Sequence, residues 1–233
     1  MSEKHIIAIG GGGFLTDSET GLDEYVLQQS KTTNPRIGFI GTATGDSEKP
    51  LSKFYLRFSS LNCRPSHLPL FSRTPNISNW IGEQDVIYVG GGNTKSMLAV
   101  WKEWGIPSLL KQAMENGTIL AGVSAGAICW FDSGVTDSKD GTLGPMECLG
   151  FLSGSCCPHY SDDPERKPTY EHLVNSGGVS EGVAIDDGVA VHFIDGEIKR
   201  VVSGIAGASA YAVSLSVGSV ITVPIESTKV AAV

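Results

Sequence analysis

Three short apolar runs in this chain each break into glycine. Ile6-Ile7-Ala8-Ile9 leads into Gly10-Gly11-Gly12-Gly13, and Val86-Ile87-Tyr88-Val89 into Gly90-Gly91-Gly92-Asn93. The run ending at Val123 leads into Ser124-Ala125-Gly126. Continuous apolar runs without alternation read as strands covered on both faces. Strands are expected at residues 5–9, 36–41, 65–71, 85–89 and 118–123. Amphipathic segments between them predict helices at 23–29, 50–61, 94–104 and 107–116, the last closed by Gly117. This β-α-β-α alternation predicts a mostly parallel sheet with helices on both faces. From residue 183 the pattern changes to short strands at 183–185, 189–194, 197–203, 210–215 and 219–224, linked by turns such as Asp195-Gly196. They read as a β-rich C-terminal extension of the same sheet. The 233 residues carry no internal repeat, linker or charge block, so a single domain over 1–233 is expected.

Composition narrows the function classes. A net charge of −8 argues against a broad nucleic-acid face. No apolar run reaches the roughly 18 residues of a membrane helix; the longest, residues 119–131, is interrupted by Ser124 and two glycines. The start shows neither a basic segment before an apolar core nor a small-residue cleavage site. The five cysteines (Cys63, Cys129, Cys148, Cys156, Cys157) make no C-x-x-C, which fits reduced thiols in the cytoplasm. No cluster has metal-ligand spacing, so neither metal nor cofactor is expected. The Gly10–Gly13 run lacks the acidic residue that closes a dinucleotide fingerprint, so it reads as a site-lining loop.

In a parallel α/β sheet, ligands bind beyond the carboxyl ends of the strands. The three glycine-rich strand ends therefore compete for the site. One of them, Gly122-Val123-Ser124-Ala125-Gly126, fits G-x-S-x-G, in which a sharp strand-to-helix turn pushes the serine hydroxyl outward. A serine nucleophile needs a base and oxyanion donors. Of the five histidines, His159 follows Pro158 at a strand end and enters the polar loop Tyr160-Ser161-Asp162-Asp163. His5, His67 and His192 fall in strands or at the terminus, and His172 on a solvated helix. The N–H groups of Gly91, Gly92 and Ala125 are the oxyanion candidates.

The segments Val89-Gly90-Gly91-Gly92-Asn93-Thr94, Gly122-Val123-Ser124-Ala125-Gly126-Ala127 and Pro158-His159-Tyr160, in this order, resemble the peptidase E family of serine peptidases, whose founding members are aspartyl dipeptidases. The resemblance runs from the first strand to about Asp187. It implies a three-layer, flavodoxin-like sheet of the class I glutamine-amidotransferase type, and hydrolysis of dipeptides with N-terminal aspartate. It implies Ser124 as nucleophile and His159 as base. It places the acidic triad member between them, where Val135-Thr136-Asp137-Ser138 resembles the family's Thr-Asn-Asp stretch; Asp137 is the expected residue, with Glu147 a rival and Asp132 a weaker one. Recognition of an acidic side chain needs a cation that forks onto a carboxylate. Arg166 resembles the family's substrate-binding arginine, Asn93 joins it as a substrate-binding residue, and Glu165 or Asp162 is left to accept the substrate's amino group. The expected partner is a small peptide, with no nucleic acid or membrane, and the chain a monomer or homodimer. A cyanophycinase-like peptidase acting on aspartate–arginine isopeptides, and a catalytically silent binding domain on the same fold, are the alternatives.

Overall fold

The computed structural model describes residues 2–16 and 20–230. Its first half runs β1 (His5–Ile9), α1 (Leu22–Gln28), β2 (Arg36–Ile40), α2 (Glu48–Phe58), β3 (Arg64–His67), α3 (Ile77–Gly82), β4 (Val86–Val89), α4 (Thr94–Glu103), α5 (Ile106–Glu115) and β5 (Ile119–Val123). Then follow α6 (Ala125–Ile128), β6 (Phe131–Thr136), β7 (Gly144–Glu147), β8 (Leu152–Pro158), α7 (Arg166–Ser176) and β9 (Gly182–Ile185). The chain closes with β10 (Val189–Ile194), β11 (Glu197–Ser203), β12 (Ala210–Ser216), β13 (Ser219–Ile225) and β14 (Thr228–Lys229).

The main sheet has the order β14-β11-β10-β1-β5-β4-β2-β3. Its strands β1, β5, β4, β2 and β3 are parallel, while β10 pairs antiparallel with β1 and β11 with β10. Read from β2, the order β3-β2-β4-β5 is the flavodoxin winding, and the chain's first strand takes the fifth place beside β5. The alternation of a strand sends neighbouring side chains to opposite faces. Ile7 and Ile9 join Phe14, Tyr25, Phe54 and Phe58 under α1 and α2, while Ile6 and Ala8 face Trp101, Leu110 and Trp130. Both faces are covered, as the continuous apolar runs require.

The C-terminal strands divide between two sheets, which differs from the expected single extension. Only β10, β11 and β14 lengthen the main sheet; β9, β12 and β13 join β6, β7 and β8 in a second, six-stranded sheet of order β13-β12-β9-β8-β6-β7. The physical reason is the parallel pairing of β8 with β9, Ser155 to Gly182 through Pro158 to Ile185. That pairing captures the segment after α7 before it can return to the main sheet. The inner face of this second sheet, with Phe131, Cys156, Val183 and Ala210, packs into the same core as α3, α4 and α5. Its outer face packs Val135, Cys157 and Val213 against Tyr170 and Val174 of α7. The strands at 131–136, 144–147 and 152–158 carry too many polar residues to read as apolar runs, and α3 is too short to show a period.

Two sequence readings find their explanation here. The thiols of Cys129, Cys156 and Cys157 are fully buried and unpaired, and burial pushes that of Cys157 up to about 12. They act as small apolar groups. Helix α4 begins where expected, because the Asn93 carboxamide oxygen accepts from the Ser96 N–H at 2.8 Å and caps the first turn.

Candidate active site

Strand β5 ends between β1 and β4, so the turn at Ser124 is flanked by both other glycine runs. Ser124 has φ +56° and ψ −113°, a conformation that L-residues adopt only under constraint. The constraint is visible. The Ser124 N–H donates to the Ile9 carbonyl at 3.0 Å, and its own carbonyl accepts from Ala127 and Ile128, which opens α6 at once. The two outer glycines of the motif allow this close return. A Cβ on Gly122 would overlap the Gly126 carbonyl, and one on Gly126 would overlap the Val89 carbonyl. The small residues are thus required by backbone packing, independent of chemistry.

His159 sits directly after β8, also at positive φ, +55°. Its Nε2 lies 2.9 Å from Ser124 Oγ, and its Nδ1 lies 2.5 Å from Asp187 Oδ1. The imidazole is partly exposed, 28% for its side chain against 34% for that of Asp187, so the arrangement opens to solvent. With Asp187 ionised, Nδ1 carries the proton and donates it to the carboxylate. Nε2 is then left to accept the serine O–H.

The glycine runs shape the walls. Gly11 pairs with Asp187 as an isolated bridge, and a side chain there would overlap Asp187 Oδ1 and meet His159 Cε1 at 2.8 Å. Of the Gly10–Gly13 run, Gly11 thus stands against the pair, while Gly13 packs beside Tyr88 and Asp23. A Cβ on Gly91 would lie 3.1 Å from Ser124 Cβ. The next residues are tied down: Gly92 has φ +134°, and the Asn93 N–H donates to the Ala43 carbonyl at 2.8 Å. Among the described residues, the N–H groups of Gly91, Gly92 and Ala125 meet no backbone acceptor, which suits oxyanion donors.

The other expected residues lie elsewhere. Asp137 and Glu147 are exposed; Asp137 accepts the Gly141 N–H through its main chain, and Glu147 stands opposite Ser133 in β7. Asp132 accepts the Gly154 N–H at 3.0 Å. The structure thus corrects the acidic partner of His159 to Asp187. Two residues proposed for substrate are engaged within the protein. Asn93 caps α4 and donates from Nδ2 to the Ser138 carbonyl at 3.2 Å. Arg166 is buried, with Nε 3.2 Å from Asp163 Oδ2 and one terminal nitrogen 3.4 Å from the Val135 carbonyl. Glu165 is exposed at the start of α7. Asp187 lies outside the stretch between Ser124 and His159 in which the resemblance places the acidic residue. A signal was present: Asp186-Asp187-Gly188 directly follows the strand at 183–185, another carboxyl strand end.

Among the described residues no group of His, Cys, Asp and Glu has a metal-binding arrangement, and no helix is long and apolar enough to cross a membrane. The chain is 47% identical over 224 residues to the uncharacterized peptidase YgaJ of Bacillus subtilis strain 168, covering 95% of this chain and 97% of that one. Its fold matches the crystal structure of a peptidase from an acI-B1 actinobacterium with a TM-score of 0.70 at 18% identity, over 94% of this chain and 97% of that one. It also matches a structure named for peptidase E from Listeria monocytogenes EGD-e, with a TM-score of 0.64 at 18% identity over 97% and 100% of the two chains. At that identity the two structures establish the fold. The model of peptidase family S51 matches residues 6–201, and the chain belongs to that family.

Proposed function

We propose that the protein is a serine peptidase that cleaves small peptides through Ser124, His159 and Asp187. The observation that carries this reading is the continuous hydrogen-bonded line from Ser124 Oγ through His159 to Asp187, at 2.9 and 2.5 Å, on a turn held at positive φ. Ser124 Oγ attacks the scissile carbonyl as its proton passes to His159 Nε2. Asp187 holds the ring and stabilises the imidazolium. The oxyanion rests on the N–H groups of Ala125 and of Gly91 or Gly92. As the C–N bond breaks, Nε2 returns its proton to the leaving amine; water, activated by the same nitrogen, then releases the acyl group.

For the substrate, the reading is a dipeptide with N-terminal aspartate. A second reading is favoured by one observation. Arg166 already pairs with the half-buried Asp163, while Asp162 and Glu165 leave exposed carboxylates in the loop after His159. That loop suits a cationic group, as in an aspartate–arginine isopeptide. The test is hydrolysis of aspartyl, leucyl and arginyl amides and of an isoaspartyl-arginine dipeptide, with fluorophosphonate labelling, by wild type and Ser124→Ala. Labelling and aspartyl-selective turnover, both lost in the variant, support the first reading. Turnover confined to the arginine isopeptide supports the second. Absence of both labelling and turnover points to a silent domain.

A further inference from the structure

The pairing of β8 with β9 does not stop at Pro158 and Ile185. The Tyr160 N–H donates to the Ile185 carbonyl at 3.2 Å, as a parallel ladder requires. Beyond that point side chains replace backbone acceptors. The Ser161 N–H donates to Asp186 Oδ1 at 3.0 Å, and in the reverse direction the Asp187 N–H donates to Asp162 Oδ2 at 2.8 Å. Residues 160, 161 and 162 are thus joined in turn to 185, 186 and 187. His159 directly precedes the first of these segments, and Asp187 closes the second.

We infer that Asp162 and Asp186 are positioning residues, which lock the two strand ends together so that Asp187 stays on His159 Nδ1. This rests on the triad reading above. The need for such a lock follows from the backbone. His159, at φ +55°, leaves the ladder to turn its ring toward Ser124, and beyond the Tyr160 N–H backbone pairing no longer joins the two strand ends. Asp186 is buried and fully used: its second oxygen accepts from the Ser209 N–H at 2.9 Å and the Tyr211 hydroxyl at 3.3 Å. That anchors the 186–187 segment to the start of β12. Asp162 is exposed and holds the far side of the same junction. Its carboxylate acts on catalysis only through the Asp187 backbone. A displacement of about 1 Å in a catalytic group can cost up to about 100-fold in rate.

The experiment compares Asp162→Ala with Asp162→Asn, since exposed Asp162 can be changed without loss of the fold, checked by thermal melting. Alanine removes the acceptor; asparagine keeps a carbonyl oxygen there and removes only the charge. Alanine is expected to lower kcat about 10- to 100-fold with KM little changed, and asparagine to recover most of that loss. A role in binding the substrate's amino group predicts instead a raised KM in both variants, which would overturn the inference. The second readout needs no turnover: the low-field proton resonance of the His159 Nδ1–H. It should weaken or vanish in Asp162→Ala, as in Asp187→Asn, and persist in Asp162→Asn. A resonance unchanged in Asp162→Ala overturns the inference even if the chain hydrolyses nothing. Loss of turnover in wild type with the expected resonances overturns the peptidase reading alone.

Discussion

His159 and Asp187 are 28 residues apart in sequence, and their Nδ1 and Oδ1 atoms lie 2.5 Å apart in the fold. The contact exists because two parallel strands, β8 and β9, end side by side. His159 comes from the first end and Asp187 from the second.

Gly11 faces this pair, so its substitution separates function from stability. In Gly11→Ala, the new methyl group overlaps the position of Asp187 Oδ1. The carboxylate must turn away from His159. Turnover should fall at least about 100-fold with the chain still folded, because a misplaced catalytic group costs rate before it costs structure. Kinetics beside circular dichroism check this; a variant of wild-type activity would show that Asp187 does not need its observed place.

Gly126→Ala should act on the fold instead. Its Cβ would overlap the Val89 carbonyl, which is backbone and cannot swing aside. Overpacking of this kind costs about 1–3 kcal/mol. Urea unfolding should show a lowered midpoint with an unchanged slope.

His192 gives a stability signature at acidic pH. Burial, with His5 and Arg200 nearby, lowers its pKa from 6.5 to about 4. Its ring nitrogens lie 3.0 Å from His5 Nδ1 and 2.9 Å from the Tyr25 hydroxyl. Above pH 6.5 the ring is neutral in both the folded and unfolded chain and contributes no pH dependence. Between 6.5 and about 4 the unfolded chain takes up the proton first, so stability falls as pH falls. The full loss is on the order of 3 kcal/mol. Unfolding free energies measured from pH 7 to 4 should show this slope, and His192→Gln should flatten it.

The buried thiols should be silent in the folded chain. Cys129, Cys156 and Cys157 are buried, while Cys63 and Cys148 are partly accessible. Titration with an aromatic disulfide should therefore modify at most the latter two until denaturant is added. Rapid reaction of Cys156 or Cys157 in the native protein would contradict the packing of β8.

The serine turn was legible in the sequence because its signal is local. Gly122 and Gly126 are demanded by backbone contacts within a few residues and with the adjacent strand, and a reader sees them as a motif. His159 was legible as a histidine at a strand end. Asp187 is not legible in the same way, since the adjacency of β8 and β9 depends on a second sheet whose strands are too polar to stand out. Asp137 looked suitable by its neighbours and lies on an exposed turn. Arg166 carried the expected charge near the expected place, yet its side chain turns inward to Asp163 and Val135, a direction that spacing alone does not encode.

The most direct test is to compare kcat/KM for Asp187→Asn, Asp137→Asn and Glu147→Gln on whichever peptide amide the wild type cleaves. Removing a triad carboxylate while keeping its shape costs up to about 10,000-fold. The geometry predicts a loss of about 1,000-fold or more for Asp187→Asn, and changes within about twofold for Asp137→Asn and Glu147→Gln. Near-normal activity in Asp187→Asn, with collapse in either of the other two, would contradict the assignment of Asp187 to the triad.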